Sequence, residues 1–186
     1  MADPPKRHAT YEDLLAVPDH RVAEIIDGVL ETQPRPAIPH ANAATTLGEA
    51  LGPPFRRGRG GPGGWILLFE PELHLRADIL VPDLAGWRRE RMPELPQGAY
   101  FELAPDWVGE VLSPSTLAQD RVRKLPIYAR ERVAHVWFID PIARTLEVLR
   151  LDGETYRVMS THAHDDVVRA EPFAAIELAL AVLWER

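Results

Sequence analysis

The sequence contains no cysteine among its 186 residues. This absence excludes disulfide bonds, catalysis by a thiolate, and zinc or iron–sulfur centres held by cysteine. The sequence also has no apolar run long enough to cross a bilayer, and its polar start, MADPPKRHAT, lacks the apolar core of a signal peptide. We therefore expect a cytoplasmic protein that makes no contact with a membrane.

Positive charge is scarce as well, since the formal net charge is -7 at pH 7. Binding to nucleic acid depends on neutralising phosphates and releasing counterions, so an acidic chain needs local basic surface to do it. Three short basic clusters interrupt the acidic balance, RRGRG at 56–60, WRRER at 87–91 and RVRK at 121–124. The simplest interpretation of each cluster is a solvated face.

The remaining pattern predicts one α+β (α/β-like) domain over residues 1–186, with residues 1–9 as a flexible tail. Two β-hairpins frame a mixed sheet flanked by helices. Asp27-Gly28 predicts the turn of the N-terminal hairpin, between strands at 22–26 and 29–32. Asp152-Gly153 predicts the turn of the C-terminal hairpin.

Outside the hairpins the pattern predicts three helices, one before the N-terminal hairpin and two after it, and several apolar strands. The helices begin after Thr10, at His40, and at Ser115 or Thr116, and Pro126 is expected to kink the last one. The segment 65–87 is interpreted as two strands broken near Pro71. DWVGEVL at 106–112 is one more strand, and VAHVWFIDP at 133–141 is expected in the middle of the sheet. The apolar tail, 173–186, is expected to form a short strand and a helix.

Four acidic residues stand in apolar strand context, namely Glu24, Asp78, Asp83 and Glu110. Each alone is compatible with a position on the solvent face of a strand. Together they favour a metal site or an acid–base site, because an unpaired charge is costly to bury. Mg²⁺ or Mn²⁺ prefers oxygen ligands, which Asp83, Glu110 and the backbone carbonyl of Val111 could supply.

Lys124 completes the predicted chemistry. A metal at the acids would lower the pKa of a bound water and offset charge on a phosphate. The ammonium of Lys124 could orient or deprotonate the attacking water, or stabilise the transition state.

The order of these motifs resembles a known family. RVAEIIDGVL, a histidine, VPDL, EVLSPST and VWFIDP occur in the order typical of the Uma-type family of restriction-endonuclease-like proteins. Pro82-Asp83 followed by Glu110 resembles the wider PD-(D/E)XK nuclease superfamily. The resemblance extends from Tyr11 to the C-terminus, and EVLSPST with the following Asp120, Lys124 and Tyr128 is its most specific part.

The resemblance implies a central mixed sheet flanked by helices, with the site at one edge. It implies that Asp83 and Glu110 bind metal and that Glu24 is an upstream acid of the same site. One position departs from the superfamily pattern, because Leu112 stands where a lysine is expected. Lys124 on the following helix matches that lysine and must reach back to the strand end.

His40 and Tyr128 are candidate substrate-binding residues. His40 matches a histidine of the family and could contact a substrate phosphate, or it could be a surface residue at a helix start. Tyr128 lies one helical turn after Lys124, where it could pack in the core or support the site with a hydrogen bond. His162 and His164 are interpreted as part of a polar loop.

The residues and the resemblance together favour an Mg²⁺- or Mn²⁺-dependent endonuclease that acts on nucleic acid, DNA before RNA. The resemblance implies that cleavage leaves a 5′-phosphate. The resemblance also implies a homodimer. One alternative is a binding or assembly module of a defence or mobile-element system that keeps the fold with little turnover. Another is a metal-free hydrolase with a carboxylate pair, such as a glycosidase, which would not need Lys124.

Overall fold

The computed structural model describes residues 7–185. The first helix, α1, spans Tyr11–Leu15 and begins with a capping box, in which Thr10 and Asp13 exchange hydrogen bonds. Most of the predicted tail, 1–9, lies outside the described residues. Within it, the backbone amide of Ala9 donates to the carbonyl of Gly28, 2.8 Å away.

A small antiparallel sheet carries the N-terminal hairpin. Its strand order is β2-β1-β5-β4, and its strands are β1 (Arg21–Ile26), β2 (Val29–Pro34), β4 (Leu73–Leu75) and β5 (Asp78–Leu80). The turn at Asp27-Gly28 is confirmed, because Ile26 pairs with Val29. Both turn residues have positive φ, 53° and 76°, as this tight turn requires.

The main sheet has six strands in the order β10-β9-β8-β7-β6-β3. These strands are β3 (Trp65–Phe69), β6 (Leu84–Arg88), β7 (Trp107–Val111), β8 (His135–Asp140), β9 (Thr145–Asp152) and β10 (Thr155–Ala163). The pair β7–β8 is parallel and the other pairs are antiparallel. The sheet is therefore mixed, and β8 lies in its interior, which confirms the predicted fold class and the predicted place of this strand.

Two sequence-based predictions were wrong, one about the number of strands and one about the position of a turn. The segment predicted as two strands forms four, β3 to β6. A tight turn between Leu75 and Asp78 was missed because Arg76, which has φ of 63°, gives no glycine or asparagine signal. The turn of the C-terminal hairpin lies one residue later than predicted, since Asp152 pairs with Thr155 across Gly153 and Glu154.

Two of the helices contain a wide π-helical turn. Helix α2 (Ile38–Leu51) continues into a π turn at Gly52–Arg56, and α3 (Leu117–Gln119) continues through a π turn at Asp120–Lys124 into α4 (Leu125–Arg130). Prolines stand in or just after both turns, where a missing N–H and ring crowding disfavour regular α-helix. Near Pro126, where a kink was predicted, the helix has a π turn that ends two residues before the proline, and Thr116 holds the predicted N-cap position.

Helices and the C-terminal segment cover both faces of the main sheet. Helix α2 and the C-terminal segment cover one face, and Phe173 packs there among Trp65, Trp107 and Trp137. Helix α4 and the small sheet cover the other face. The C-terminal segment contains β11 (Val167–Val168), β12 (Leu178–Ala179) and a 3-10 turn at Leu180–Leu183. Within 173–186, β12 is the predicted short strand, and the 3-10 turn stands where a helix was predicted. Among residues 7–185, no helix has the length and apolar character needed to cross a membrane.

Candidate functional site

The register of the main sheet brings two of the predicted acids together. Leu84 on β6 pairs with Gly109 on β7, so the residues next to them, Asp83 and Glu110, are neighbours at the end of this pair. Asp83 is fixed there because its Oδ2 accepts a hydrogen bond of 2.7 Å from the backbone amide of Val111. The two acids therefore meet where β7 ends and the Ser-Pro turn begins.

Lys124 reaches back to this strand end from the π turn. Its Nζ lies 3.0 Å from Glu24 Oε1, 3.1 Å from Asp120 Oδ1 and 3.5 Å from Glu110 Oε1. All four side chains are buried. The lysine thus balances three carboxylates that would repel one another strongly inside the protein.

Glu24 is held by a set of donors from three elements. Its Oε1 accepts from the backbone amide of Val81 at 2.8 Å, and its Oε2 accepts from Gln33 and Gln119 at 3.3 and 3.1 Å. A carboxylate so fully supplied with donors has little capacity left for another ligand. Glu24 therefore fixes Lys124 in the arrangement seen here.

Tyr128 and His40 each hold one of the acids. The hydroxyl of Tyr128 donates to Glu110 Oε1 at 2.6 Å, and the tyrosine is fully buried. His40 Nε2 lies 3.2 Å from Asp83 Oδ1, and His40 Nδ1 is buried with no hydrogen-bond partner within residues 7–185. Tyr128 was predicted to contact substrate, but its ring is fully buried and its hydroxyl contacts Glu110, so in this structure no part of it is open to a substrate.

A cavity of about 300 Å³ opens over the acids. Asp83, Glu110, Asp120 and Lys124 line it together with His40, whereas Glu24 and Tyr128 do not. Glu110 Oε1 accepts hydrogen bonds from Tyr128 and Lys124. Its other oxygen, Oε2, has no hydrogen-bond partner within residues 7–185. Glu110 can thus offer one oxygen to the cavity while the other is held in place.

Burial and nearby charges shift the pKa values of Glu110, Lys124 and Tyr128. Burial raises the pKa of Glu110 well above its usual value. The charge of Lys124 opposes this increase in pKa, and the nearby Asp120, Asp83 and Glu24 add to it. Burial lowers the pKa of Lys124, but Glu110, Glu24 and Asp120 outweigh burial and raise it. Burial and the contact with Glu110 raise the pKa of Tyr128. The lysine is therefore an ammonium and the tyrosine a donor.

Burial also lowers the pKa of His40, but the hydrogen bond and charge of Asp83 outweigh it and the net shift is upward. His40 is therefore protonated more readily than an exposed histidine, and its contact with Asp83 is strengthened when it is protonated.

The donor set suits a hard divalent cation that keeps some of its water. No group of three or more His, Asp or Glu side chains within residues 7–185 is arranged to hold a metal ion. Asp83 and Glu110 are two carboxylates, and magnesium commonly takes only one or two from the protein. The cluster also has more carboxylates than cations, and Asp120 Oδ1 is buried without a hydrogen bond of acceptable geometry. A cation in the cavity would reduce this excess of negative charge.

The structure places the fourth candidate acid elsewhere. Asp78 is buried on β5, where it accepts from the backbone amide of Asp27 at 2.7 Å and from Arg130 at 2.9 Å. It stabilises the small sheet and takes no part in the cluster. His162 contacts Ser160 at 2.9 Å, and it does not line the cavity.

The sequence argument gave no role to Asp120, Gln33 or Gln119. The spacing of Asp120 and Lys124, four residues apart on a predicted helix, was a readable signal for an ion pair. No signal identified the two glutamines, because their contact with Glu24 depends on how separate elements pack.

The mixed sheet, the crossover helix and the acids at the strand end define a restriction-endonuclease-like fold, and solved structures support it. The chain is similar to the crystal structure of a putative nuclease belonging to DUF820 from Anabaena variabilis ATCC 29413, with a TM-score of 0.73 and 22% sequence identity. The match covers 95% of this chain and 97% of that chain. The chain belongs to the Uma2 family, described as "Putative restriction endonuclease", whose model matches residues 9–182. No curated protein matches the chain.

Proposed function

We propose that this protein is a metal-dependent endonuclease that hydrolyses phosphodiester bonds of nucleic acid, DNA in preference to RNA. Membership in a family of restriction endonucleases supports nuclease activity. The observation that carries the proposal is the convergence of Asp83, Glu110 and Lys124 on one cavity from three separate segments. An acid with a raised pKa beside a buried lysine, at a cleft, is a common mark of a catalytic site.

Asp83 and Glu110 would hold Mg²⁺ or Mn²⁺, with the backbone carbonyl of Val111 as a third ligand. Asp83 has one oxygen fixed by the Val111 amide, and Glu110 has one fixed by Tyr128. When bound, such a cation supplies Lewis acidity and lowers the pKa of a water. The fixed oxygens keep the two acids from reorganising as a ligand arrives.

The other residues position groups and provide charge. Lys124, an ammonium held by Glu24 and Asp120, lines the cavity, and its charge would stabilise negative charge that builds on a phosphate. Glu24 acts through Lys124, and Tyr128 acts through Glu110. His40 is proposed to contact a substrate phosphate, because it lines the cavity from the first turn of α2.

Hydrolysis at this site is proposed to leave a 5′-phosphate, and the active form is proposed to be a homodimer of single-domain chains. A twofold axis would present two equivalent sites to the two strands of a duplex. The assembly is measurable by light scattering, and a monomer that cuts duplex DNA on both strands would contradict it.

A second candidate function is a binding or assembly module of a defence or mobile-element system, which keeps the nuclease fold with little turnover. The net charge of -7 favours it, because a chain of this charge attracts DNA weakly. Manganese distinguishes the two functions, since the nuclease needs a cation at the acids and the module does not.

The test compares the parent with Asp83→Asn and Glu110→Gln on plasmid DNA with manganese or magnesium. Each substitution keeps the shape of the side chain and an oxygen that accepts the observed hydrogen bond, so folding is preserved. We expect both variants to lose cleavage. Asp78→Asn is the matched control, because it neutralises a buried strand acid outside the cavity, and it should cut as the parent does. Cutting by both site variants at the parental rate would disprove the assignment.

A further inference from the structure

The cavity lacks free positive charge for a polyanionic substrate. The basic residues among its lining are Arg35, His40 and Lys124. Each already faces a carboxylate, since Arg35 lies 3.4 Å from Glu70, His40 contacts Asp83, and Lys124 is enclosed by its three acids. A nucleic acid must therefore obtain most of its electrostatic attraction from another part of the surface.

One end of the main sheet carries a cluster of exposed arginines, which we call the arginine surface. It consists of Arg56, Arg57, Arg59, Arg88 and Arg89. None of these five has an ion pair with a carboxylate within residues 7–185, although most other arginines of that range do. The arginine surface is thus a local excess of unneutralised charge on an acidic protein.

Two segments build this surface, and hydrogen bonds hold them together. Arg88 pairs with Trp65 across β6 and β3, and its guanidinium stacks over the indole, 4.3 Å from the ring centroid. The backbone amide of Arg89 donates to the carbonyl of Gly64, 2.9 Å away. The end of β6 and the glycine-rich loop before β3 are therefore one structural unit.

The loop is folded back on the π turn of α2. The amides of Arg57 and Arg59 donate to the carbonyls of Gly52 and Pro53 at 3.1 and 2.8 Å. Gly58 and Gly60 have φ of 67° and 75°, a region that side chains disfavour. Because the backbone is fixed in this way, the guanidinium groups are presented from a rigid frame rather than from a flexible tail.

A groove leads from the arginine surface toward the acids. It has a volume of about 510 Å³ and lies between α2 and β3, with Arg56 and Arg57 among its lining at one end. Its other end is lined by Phe69 and Leu84, the neighbours of Glu70 and Asp83 in the catalytic cavity. Five residues of β3 span about 17 Å at ~3.4 Å per residue, which is the length of about five phosphates of one DNA strand.

We propose that the arginine surface binds the phosphate backbone of nucleic acid and holds the substrate while the groove directs one strand to Asp83 and Glu110. This inference rests on the proposed function for the identity of the substrate. Guanidinium groups suit the partner because they form paired hydrogen bonds with phosphate oxygens and remain charged at any physiological pH. The contact is independent of sequence, since it reaches only the backbone.

The test measures binding without turnover. Anisotropy of a fluorescein-labelled duplex of about thirty base pairs, and of a single strand of the same length, is recorded in chelator over a range of salt concentrations. The parent is compared with Arg57→Gln/Arg59→Gln/Arg89→Gln. The control, Arg76→Gln/Arg132→Gln/Arg169→Gln, removes the same charge from exposed arginines outside the arginine surface. Thermal unfolding confirms that both variants are folded.

We expect the first variant to bind about tenfold or more weakly and to lose about three from the slope of log Kd against log salt, about one for each phosphate contact. The control should retain the parental slope. An unchanged slope in the first variant, or an equal loss in the control, would overturn the inference. So would competition by poly-glutamate as effective as that by DNA, which would indicate an acidic protein partner.

This test is separate from that of the proposed function. If the acid variants lose cleavage while the salt slope of the arginine variant is parental, the nuclease assignment is kept and the proposal that the arginine surface binds nucleic acid is rejected. If the acid variants cut normally while the arginine variant loses binding, the arginine surface stands and the catalytic assignment is wrong.

Discussion

Lys124 Nζ lies 3.0 Å from Glu24 Oε1, although one residue belongs to the N-terminal hairpin and the other to the helix that crosses between β7 and β8. Both side chains are almost fully excluded from solvent. This contact joins the small sheet to the helix that crosses between β7 and β8, so the acidic cluster and the packing of the small sheet depend on the same pair.

Replacing Lys124 by methionine should destabilise the fold. The variant leaves Glu24, Glu110 and Asp120 buried without their cation, and breaking a buried ion pair from one side costs about 3–5 kcal/mol. Urea unfolding at neutral pH measures the change. The Glu24→Gln/Lys124→Met variant should recover part of the loss, because one uncompensated charge is gone. If Lys124→Met were as stable as the parent, the charge of the lysine would not be balancing the buried acids.

Neutralising Glu110 should change the pH dependence of stability in the metal-free protein. The pKa of Glu110 is raised in the folded state, so above its ordinary value of 4.5 the folded chain retains a proton that the unfolded chain has released. The free energy of unfolding contributed by this group therefore falls as pH rises through that window. Urea unfolding between about pH 5 and about pH 8, in chelator, should show a flatter profile for Glu110→Gln than for the parent. Parallel profiles would contradict this.

Removing the hydroxyl of Tyr128 should affect stability more than substrate binding. Tyr128→Phe deletes the donor to Glu110 Oε1, and an intramolecular hydrogen bond contributes about 0.5–1.5 kcal/mol. The ring is buried and does not line the cavity, so KM for nucleic acid should be unchanged while kcat falls. A higher KM with an unchanged kcat would instead indicate direct contact with substrate.

Manganese should stabilise the parent, and more at high pH than at low pH. A metal must displace the proton that Glu110 retains, so metal binding weakens as pH falls. The melting temperature should rise with manganese, rise more at about pH 8 than at about pH 6, and return with chelator. Asp83→Asn is the control and should show little shift. An equal shift in that variant would place the cation elsewhere.

Much of the fold follows from local signals in the sequence. Asp27-Gly28 encodes its hairpin through the preference of both residues for positive φ, and the apolar run that forms β8 encodes a strand buried on both faces. The strand that carries Glu110 was also predicted. The turn at Arg76 was not, because tertiary pairing of Leu75 with Asp78 overrides the residue's own preference.

The candidate site was predictable in its residue types but not in its geometry. Asp83 and Glu110 meet only because β6 and β7 adopt a particular register, which depends on packing over the whole sheet. The donors to Glu24 from Gln33 and Gln119 have the same origin. The burial of Tyr128 likewise could not be separated, in the sequence, from a place on the cavity wall.

Lysine occurs at only two positions in the sequence, 6 and 124. Because the amine of Lys124 is enclosed and held as an ammonium, an acylating reagent can modify it only after the protein opens locally and the ion pairs separate. Mass spectrometry of the tryptic peptide that contains it would therefore count opening events at one atom. The extent of acylation of Lys124 with time would therefore measure how often the buried acidic cluster opens to solvent.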